Sequence, residues 1–213
     1  MARRRLGEVS GVFWTDPELN SWIDQAGRDL AFKTKSIRTN GYFTPAESVS
    51  DYALSTIFPN LLSVLELYYK INGITWKKLE SISNRQDLDV LYPGWMNVPA
   101  GTPFTYFYDK EEDNLLLHPK PNALNAGTNY ARVFYARTFT SLASDTAVPT
   151  IPEPLHLAFV DWVVSLGYET RGYGDKANDA MQKYGQRIQT YLVERSREKE
   201  DDEIIMKNYR NMH

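Results

Sequence analysis

The sequence contains no cysteine and only three histidines among its 213 residues. Without cysteine the chain has no disulfide, no thiolate metal site and no cysteine nucleophile. His118, His156 and His213 are scattered along the chain, which argues against a histidine-rich metal site. A glycine-rich phosphate loop, an HExxH motif and a GxSxG motif are also missing. We therefore expect a protein that is not an enzyme and that uses neither a metal nor a cofactor.

Long apolar runs and a strong charge of one sign are missing as well. No run approaches the roughly 18 to 20 apolar residues of a membrane span. The basic N-terminus MARRRLGEVSG has no apolar core of the kind found in a secretory signal. The formal net charge is only −3, which does not suit a protein whose main task is to coat nucleic acid. These features predict a protein made in the cytoplasm, without membrane contact.

What the sequence does have is a large share of apolar and aromatic residues. Hydrophobic residues make up 42% of the chain, which is enough to build a core. The chain also has 14 tyrosines and 5 tryptophans. Such rings suit a β-rich core or a large interface, where they bridge dry and wet regions. The aromatic content is therefore the first indication of assembly.

Three stretches have the pattern of helices. The first, residues 15–37, begins with Thr15 and Glu18 at the spacing of a capping box and places its apolar residues on one face. The second, residues 154–170, is nearly all apolar, and the third, residues 175–198, has apolar residues at helical spacing. We predict one N-terminal and two C-terminal helices that pack together.

Between the first and second helices, the sequence from about residue 49 to 140 is typical of β-strands, and the stretch TNGYFTPAE before it indicates a connector. The dipeptide Asn72-Gly73 favours a two-residue type I′ turn and predicts a hairpin over about 64–82. In that hairpin Tyr69 would face Trp76 as a cross-strand aromatic pair.

Further strands are predicted over 102–109, 114–121 and 129–139, and a short charged turn joins the first two as a second hairpin. Asn84 can cap a short helix that must end before Pro93. The predicted fold class is α+β, with an antiparallel β-hairpin or sandwich region inserted between helices that form one core.

Both termini are predicted to be extended arms outside a single domain of residues 14–194. In the basic arm, residues 1–13, Arg3, Arg4 and Arg5 could contact DNA phosphates or a partner protein, although such a terminus is more often a soluble tail. The C-terminal arm, residues 195–213, is either a solvated helix end that frays or a segment that docks on a neighbouring subunit. Its candidate docking residues are Ile204, Ile205, Met206 and Tyr209.

Two groups of side chains could suggest catalysis. His156 and Asp161 share the first of the two C-terminal helices, but five residues place them about 140° apart around it, so they cannot share a ligand. We expect a structural histidine and a carboxylate that caps, pairs or lies at a subunit contact. The paired carboxylates are expected to be solvated charges; they are Asp87, Asp89, Glu111, Glu112 and Asp113.

Aromatic residues on the predicted strands leave an alternative function open. They could form a platform that binds sugars or stacks nucleic-acid bases, although core and interface positions are the more common reason for such residues. The alternative is therefore a β-sandwich module of a tail or collar protein that binds a glycan or nucleic acid. The residues concerned are Tyr106, Phe107, Tyr108, Tyr130, Phe134 and Tyr135.

The order of these segments resembles the head-to-tail adaptor (connector) proteins of tailed bacteriophages over about residues 14–195. An amphipathic N-terminal helix, WTDPELNSWIDQAGRDLAFKT, leads into the extended segment DYALSTIFPNLLSVLELYYKINGITWKKL. QDLD before PGW, the strand GTPFTYFYD and the strand LLLHPKP with its spaced prolines follow. The last strand then leads through a proline-containing loop into the C-terminal helices, YARVFYARTFTSLASDTAVPTIPEPLHLAFVDWVV.

This resemblance implies a structural protein of the virion neck, assembled in the host cytoplasm. Such a protein forms a homo-oligomeric ring, dodecameric in relatives, beneath the portal protein. The ring extends the DNA channel, through which DNA passes without sequence-specific contact, and carries a downstream tail or nozzle protein. The resemblance implies no catalytic residue.

Overall fold

The computed structural model describes residues 2–7, 13–142 and 147–211, and it describes side chains as far as Glu198. The described residues form six α-helices and two four-stranded sheets, which confirms the predicted α+β class. The chain divides into two compact units. We call Met1–Ile37 with Phe139–His213 the helical unit and Arg38–Thr138 the β unit.

The long helices lie in the helical unit and two short ones lie in the β unit. The helices are α1 (Ala2–Arg5), α2 (Asp16–Thr34), α3 (Leu54–Ile57), α4 (Arg85–Leu91), α5 (His156–Thr170) and α6 (Gly174–Asn211). Short 3₁₀ turns lie at Trp95–Asn97, Ala123–Asn125 and Glu153–Leu155.

Local sequence explains where α2 begins and ends. The Thr15 side chain accepts a hydrogen bond from the Glu18 backbone N–H, and the Glu18 carboxylate accepts from the Thr15 backbone, which completes the predicted capping box. This bonding also lowers the pKa of the Glu18 carboxyl. At the other end Lys35 takes the left-handed conformation, with φ of 47°, and this ends the helix three residues before the predicted limit of 37.

Helices α2, α5 and α6 share one apolar core. Leu30, Ala158 and Tyr184 represent the three helices in this core, and all three are almost fully buried. Gly27 on α2 lets the ring of Phe139 approach so closely that a Cβ at this position would lie 2.3 Å from a ring carbon. The core is therefore built from the two ends of the chain.

The two C-terminal helices lie near their predicted limits at three of four ends. The second predicted helix starts as a 3₁₀ turn at Glu153–Leu155, becomes α-helical at His156 and ends at Thr170, as predicted. The third, α6, starts at Gly174 but continues through Asn211, beyond the predicted end at residue 198.

The strands form two sheets. They are β1 (Arg38–Phe43), β2 (Asp51–Ala53), β3 (Leu61–Ile71), β4 (Thr75–Lys78), β5 (Glu80–Ile82), β6 (Thr105–Asp109), β7 (Asn114–His118) and β8 (Ala131–Arg137). The first sheet has the order β1-β8-β3-β4, and the second has the order β2-β7-β6-β5. The second predicted hairpin is confirmed as the antiparallel pair β6 and β7. Asn84 caps α4 as predicted.

The first predicted hairpin is present, but its predicted register is wrong. Three residues, not two, separate β3 from β4. Asn72 and Gly73 take the expected positive φ values of 50° and 70°. Because of the extra loop residue, Trp76 pairs with Lys70 on one face, whereas Tyr69 is fully buried on the other. The predicted pair of Tyr69 and Trp76 therefore does not form.

Two further predictions about the β region are corrected. The stretch read as a connector contains β1, which pairs antiparallel with β8, so the β region begins at Arg38 rather than at 49. The region is also not wholly antiparallel, since β5 pairs parallel with β6. The connection between these strands contains α4, which gives the crossover that a parallel pair needs.

The β unit has a core that draws on both sheets. Leu67 and Val133 from the first sheet and Leu115 and Leu117 from the second lie in one buried cluster. Side chains alternate along each strand, so the residues between these positions point away from the core. The unit is thus a sandwich with two outward faces, as the sandwich alternative predicted.

Candidate assembly surfaces

The three N-terminal arginines have different surroundings. Arg3 donates from Nη2 to Asp16 Oδ1 at 2.5 Å, and Arg5 donates from Nη1 to Asp161 Oδ1 at 2.7 Å. The side chain of Arg4 is exposed. Two of the three arginines therefore bind carboxylates of their own chain, and contact of this segment with DNA or a portal stays a prediction.

Residues 2–7 and 13–14 pack on α5. Leu6 is 5% exposed, and a Cβ at Gly167 would lie 2.7 Å from its Cδ2, so a larger residue at this position would require the Leu6 side chain to shift. Trp14 is also buried, and its indole Nε1 donates to Thr170 Oγ1 at 3.3 Å. The Arg171 guanidinium lies 4.1 Å from the centre of the Trp14 ring. Apolar, polar and cation–π contacts thus hold the described part of the N-terminal segment.

Asp161 is a buried carboxylate with two cationic partners. It is 1% exposed and accepts from Arg5 on Oδ1 and from Arg187 Nε on Oδ2 at 2.5 Å. His156 instead contacts the carbonyl oxygen of Ile151 through Nε2 at 2.8 Å. The two side chains therefore have separate partners, as their positions around the helix predicted, and Asp161 joins three segments of the helical unit.

The sequence analysis did not predict that α6 supplies Arg187 as a partner of Asp161. Arg187 follows Tyr184 by three residues, so both lie on the same side of α6. The hydroxyl of Tyr184 donates to the Asp29 carboxylate, and burial raises the pKa of Tyr184, with Asp29 adding to the shift. The three-residue spacing between Arg187 and the core residue Tyr184 is the sequence signal that could have placed Arg187 beside this core.

Near the C-terminus, α6 has one more polar contact with α2. Arg195 Nη1 donates to the carbonyl oxygen of Thr34 at 2.6 Å. Beyond it the helix continues through Asn211. The predicted docking side chains Ile204, Ile205, Met206 and Tyr209 lie outside the residues whose side chains are described.

Of the five predicted carboxylates, Asp87, Asp89 and Asp113 accept hydrogen bonds from other residues. Glu111 and Glu112 are exposed. Asp87 accepts from Asn84 Nδ2 and Asp89 accepts from Trp95 Nε1, both at 2.7 Å. Asp109 accepts from the backbone N–H of Glu111 at 2.9 Å in the β6–β7 turn. Among the described residues, no group of three or more acidic, histidine or cysteine side chains could hold a metal ion.

A cavity of about 320 Å³ opens on the outward face of the second sheet. Its lining includes Trp95, Phe107 and Asn114, together with His118, which is 4% exposed. The His118 ring lies among aromatic rings, with the ring centre of Tyr92 at 5.2 Å, and burial lowers the pKa of His118. Burial therefore favours the neutral form of this imidazole.

The six aromatic residues predicted as a platform do not lie on one surface. Tyr106 is buried in the sandwich core, and Tyr108, Tyr130 and Tyr135 pack against that core. Burial also raises the pKa of Tyr108 to about 12. Phe107 belongs to a separate cluster beside α4, and Phe134 points outward. Most of these rings fill the interior, and this difference follows from strand alternation.

Other rings join Phe134 on the outward face of the first sheet. Tyr42 and Trp76 are 44% and 38% exposed, and their ring centres are 5.9 Å apart. The Arg132 guanidinium lies 5.3 Å from the Tyr42 ring centre, and Lys70 Nζ lies 5.9 Å from that of Trp76. We call this surface the basic face; it consists of Tyr42, Tyr68, Lys70, Trp76, Lys78, Arg132 and Phe134.

No described helix is both long and apolar enough to cross a bilayer.

A search of curated proteins gives no match to this chain. Comparison with known protein families matches residues 1–207 to the description "SU10 adaptor protein". The match includes both units and most of the terminal segments. This chain therefore belongs to the SU10 adaptor protein family, a family of phage head-to-tail adaptors.

Proposed function

We propose that this protein is a structural adaptor of the virion neck, which assembles as a ring of identical copies beneath the portal and extends the DNA channel. The observation that carries this proposal is the family match over residues 1–207, which includes almost the whole chain. On this basis the partners are further copies of the chain, the portal protein and a downstream tail or nozzle protein. Dodecameric symmetry is the expectation from the resemblance.

The chemistry of the described residues supports a structural role. The buried carboxylate Asp161 pairs with Arg5 and Arg187, and these ion pairs hold segments of the chain together. A channel through which DNA must slide should not hold phosphates tightly, so the net charge of −3 is compatible with this function. Arg4 is the N-terminal arginine that we propose for contact with DNA or the portal, because its side chain is exposed.

We further propose that the C-terminal part of α6 docks on the portal or on a neighbouring copy. The helix has 38 residues, and at about 1.5 Å per residue it is about 57 Å long. The sequence after Glu198 contains an acidic run and the apolar residues Ile204, Ile205 and Met206, which suit a protein contact better than a solvated end.

A truncation tests this proposal. Sequence alone suggests a stop after Glu194, but the contact of Arg195 with the Thr34 carbonyl favours a stop after Glu198. We expect the truncated monomer to keep its fold and to bind the cognate portal more weakly, as measured by sedimentation and electron microscopy. Undiminished assembly of the truncated chain on the portal would contradict the docking role of this segment.

The full chain with its cognate portal is the test of the adaptor function itself. The expected result is a complex in which several copies of the chain form a ring on one end of the portal. A chain that stays free of the portal but saturably binds one glycan or oligonucleotide on an array would instead favour the ligand-binding alternative.

A further inference from the structure

The two outward faces of the β unit differ in charge. On the first sheet, the basic face carries Lys70, Lys78 and Arg132 around exposed aromatic rings. Its acidic residue Glu66 is already paired with Lys78 at 2.7 Å. The remaining cations, Lys70 and Arg132, lie against aromatic rings. Aromatic residues and arginine are enriched in protein interfaces.

On the second sheet, the carboxylates Asp51, Asp109 and Glu112 line the 320 Å³ cavity. We call this surface the acidic face; it consists of the lining residues Asp51, Asp109, Glu112, Trp95 and Met96, with the exposed Glu111 beside Glu112 in the β6–β7 turn. Arg85 and Lys120 also line the cavity, and the Arg85 guanidinium lies 5.8 Å from the Trp95 ring centre. Met96 is 59% exposed beside the cavity, so apolar surface is available next to the carboxylates.

Strand alternation places these two faces on opposite sides of the sandwich. Leu67 and Val133 point into the core from the first sheet, so their neighbours Tyr68 and Arg132 point out. Leu115 and Leu117 point into the same core from the second sheet, so the carboxylates beside the cavity face the other way. A single copy cannot bring the two faces together, but two copies can.

We propose that the basic face of one copy packs against the acidic face of the next copy. This inference rests on the proposed ring and identifies its lateral contact. A contact between two different faces of identical subunits is heterologous, and it closes into a ring when the rotation between neighbours allows closure. The tip of the β3–β4 hairpin, where Ile74 is 81% exposed, carries the apolar side chains that can enter the cavity of the neighbour.

A second copy fits these faces better than a nucleic acid does. A nucleic acid would match the basic face, but it would leave the carboxylates and the open cavity of the other face without a role. One contact between copies accounts for both faces, because each face supplies the charge and the apolar surface that the other can use.

Two charge-reversed variants test the contact. In the first, Lys70→Glu and Arg132→Glu make the basic face acidic. In the second, Glu111→Lys and Glu112→Lys make the acidic face basic; both residues are exposed, and their backbone N–H groups, which bond Asp109, are unchanged. Arg28→Glu with Lys35→Glu is the matched control, since both residues are exposed and lie in the helical unit.

Each variant alone should join the portal complex at least about tenfold more weakly than the unchanged chain, because like charges meet at every lateral contact. An equal mixture of the two variants should recover assembly, since the reversed faces complement each other in alternating copies. The control variant should assemble like the unchanged chain. Circular dichroism and thermal unfolding establish that every variant is folded.

Normal assembly by either variant alone, or no recovery by the mixture of two folded variants, overturns the proposed contact. Loss of oligonucleotide binding by the first variant with unchanged assembly also overturns it and assigns the basic face to nucleic acid. In these outcomes the unchanged chain still forms a ring on the portal, so the adaptor function stands. Failure of the unchanged chain to associate with the portal contradicts the adaptor function itself.

Discussion

The helical unit and the β unit each bury a polar side chain where separate segments meet, but only one of these side chains is charged. In the helical unit, Asp161 is held between Arg5 and Arg187. In the β unit, Asn125 is 2% exposed, accepts from the backbone N–H of Asn72 and donates to side-chain oxygens of its neighbours. The charged side chain, Asp161, joins the two ends of the chain, whereas the neutral side chain, Asn125, joins loops of a continuous segment.

This difference determines how much stability each unit loses when its buried polar side chain is removed. A buried ion pair that loses one partner leaves an uncompensated charge, which costs more than an unmade neutral hydrogen bond. The helical unit should therefore depend more strongly on a single side chain. The predictions below test this contrast, beginning with the largest expected effect.

Asp161→Ala should destabilise the helical unit by about 2 to 4 kcal/mol. This cost is lower than that of breaking a fully buried ion pair, because the side chains of Arg5 and Arg187 are 42% and 34% exposed and can recover some hydration. Urea unfolding combined with hydrogen exchange can follow the two units separately. Asp179→Ala is the control: its exposed pair with Lys183 should contribute less than about 0.5 kcal/mol. Equal effects of the two changes would contradict the role of the buried charge.

Asn125→Ala should destabilise the β unit by about 1 to 3 kcal/mol, because it leaves the Asn72 backbone N–H without its acceptor. The same unfolding measurement applies, and protection of amides near Asn72 should fall first. Asn97→Ala, at an exposed position, serves as the control. If Asn125→Ala cost as much as Asp161→Ala, the distinction between a neutral and a charged centre would not hold.

Gly27→Ala should cost about 1 to 3 kcal/mol, since the added Cβ would lie 2.3 Å from a carbon of the buried Phe139 ring. Gly185→Ala in α6 should instead stabilise the helical unit by up to about 1 kcal/mol, because its Cβ would meet no atom within 4 Å. Gly41→Ala is the matching destabilising change in the β unit, because the added Cβ would meet the Phe58 ring. Thermal unfolding should show opposite signs for the two helical changes.

The smallest expected effect is a pH dependence confined to the β unit. Burial lowers the pKa of His118 in the folded chain below its unfolded value, so the unfolded state takes up the proton first as pH falls. Stability should therefore decrease below about pH 6.5, with a slope of at most about 1.4 kcal/mol per pH unit. His118→Gln should remove this slope in unfolding measurements between pH 5 and 7. If the variant kept the same slope, titratable groups other than His118 would be its cause.

Local signals predicted much of this fold. The capping box at Thr15, the cap at Asn84 and the positive φ values at Asn72 and Gly73 all depend on neighbouring residues, so the sequence was sufficient to predict them. The predicted register of the first hairpin failed by one residue, because the pattern does not define where pairing starts.

Long-range pairing explains most of the remaining differences. β1 contains Asn40 and Gly41, which favour turns, and it becomes a strand because it pairs with β8 about 90 residues later. The basic face could not be predicted for the same reason, since Tyr42 and Arg132 lie on separate strands. The partners of Asp161 were equally distant, although its position around α5 was correctly expected to separate it from His156.

The contact of Arg5 with Asp161 has a consequence for synthesis, because 156 residues separate the two partners. Arg5 leaves the ribosome early, but the pair cannot form until α5 has emerged, and Arg187 follows later still. The β unit is continuous from Arg38 to Thr138 and can fold while the rest is translated. The helical unit can mature only after both α5 and α6 have emerged, which is later than the β unit can fold.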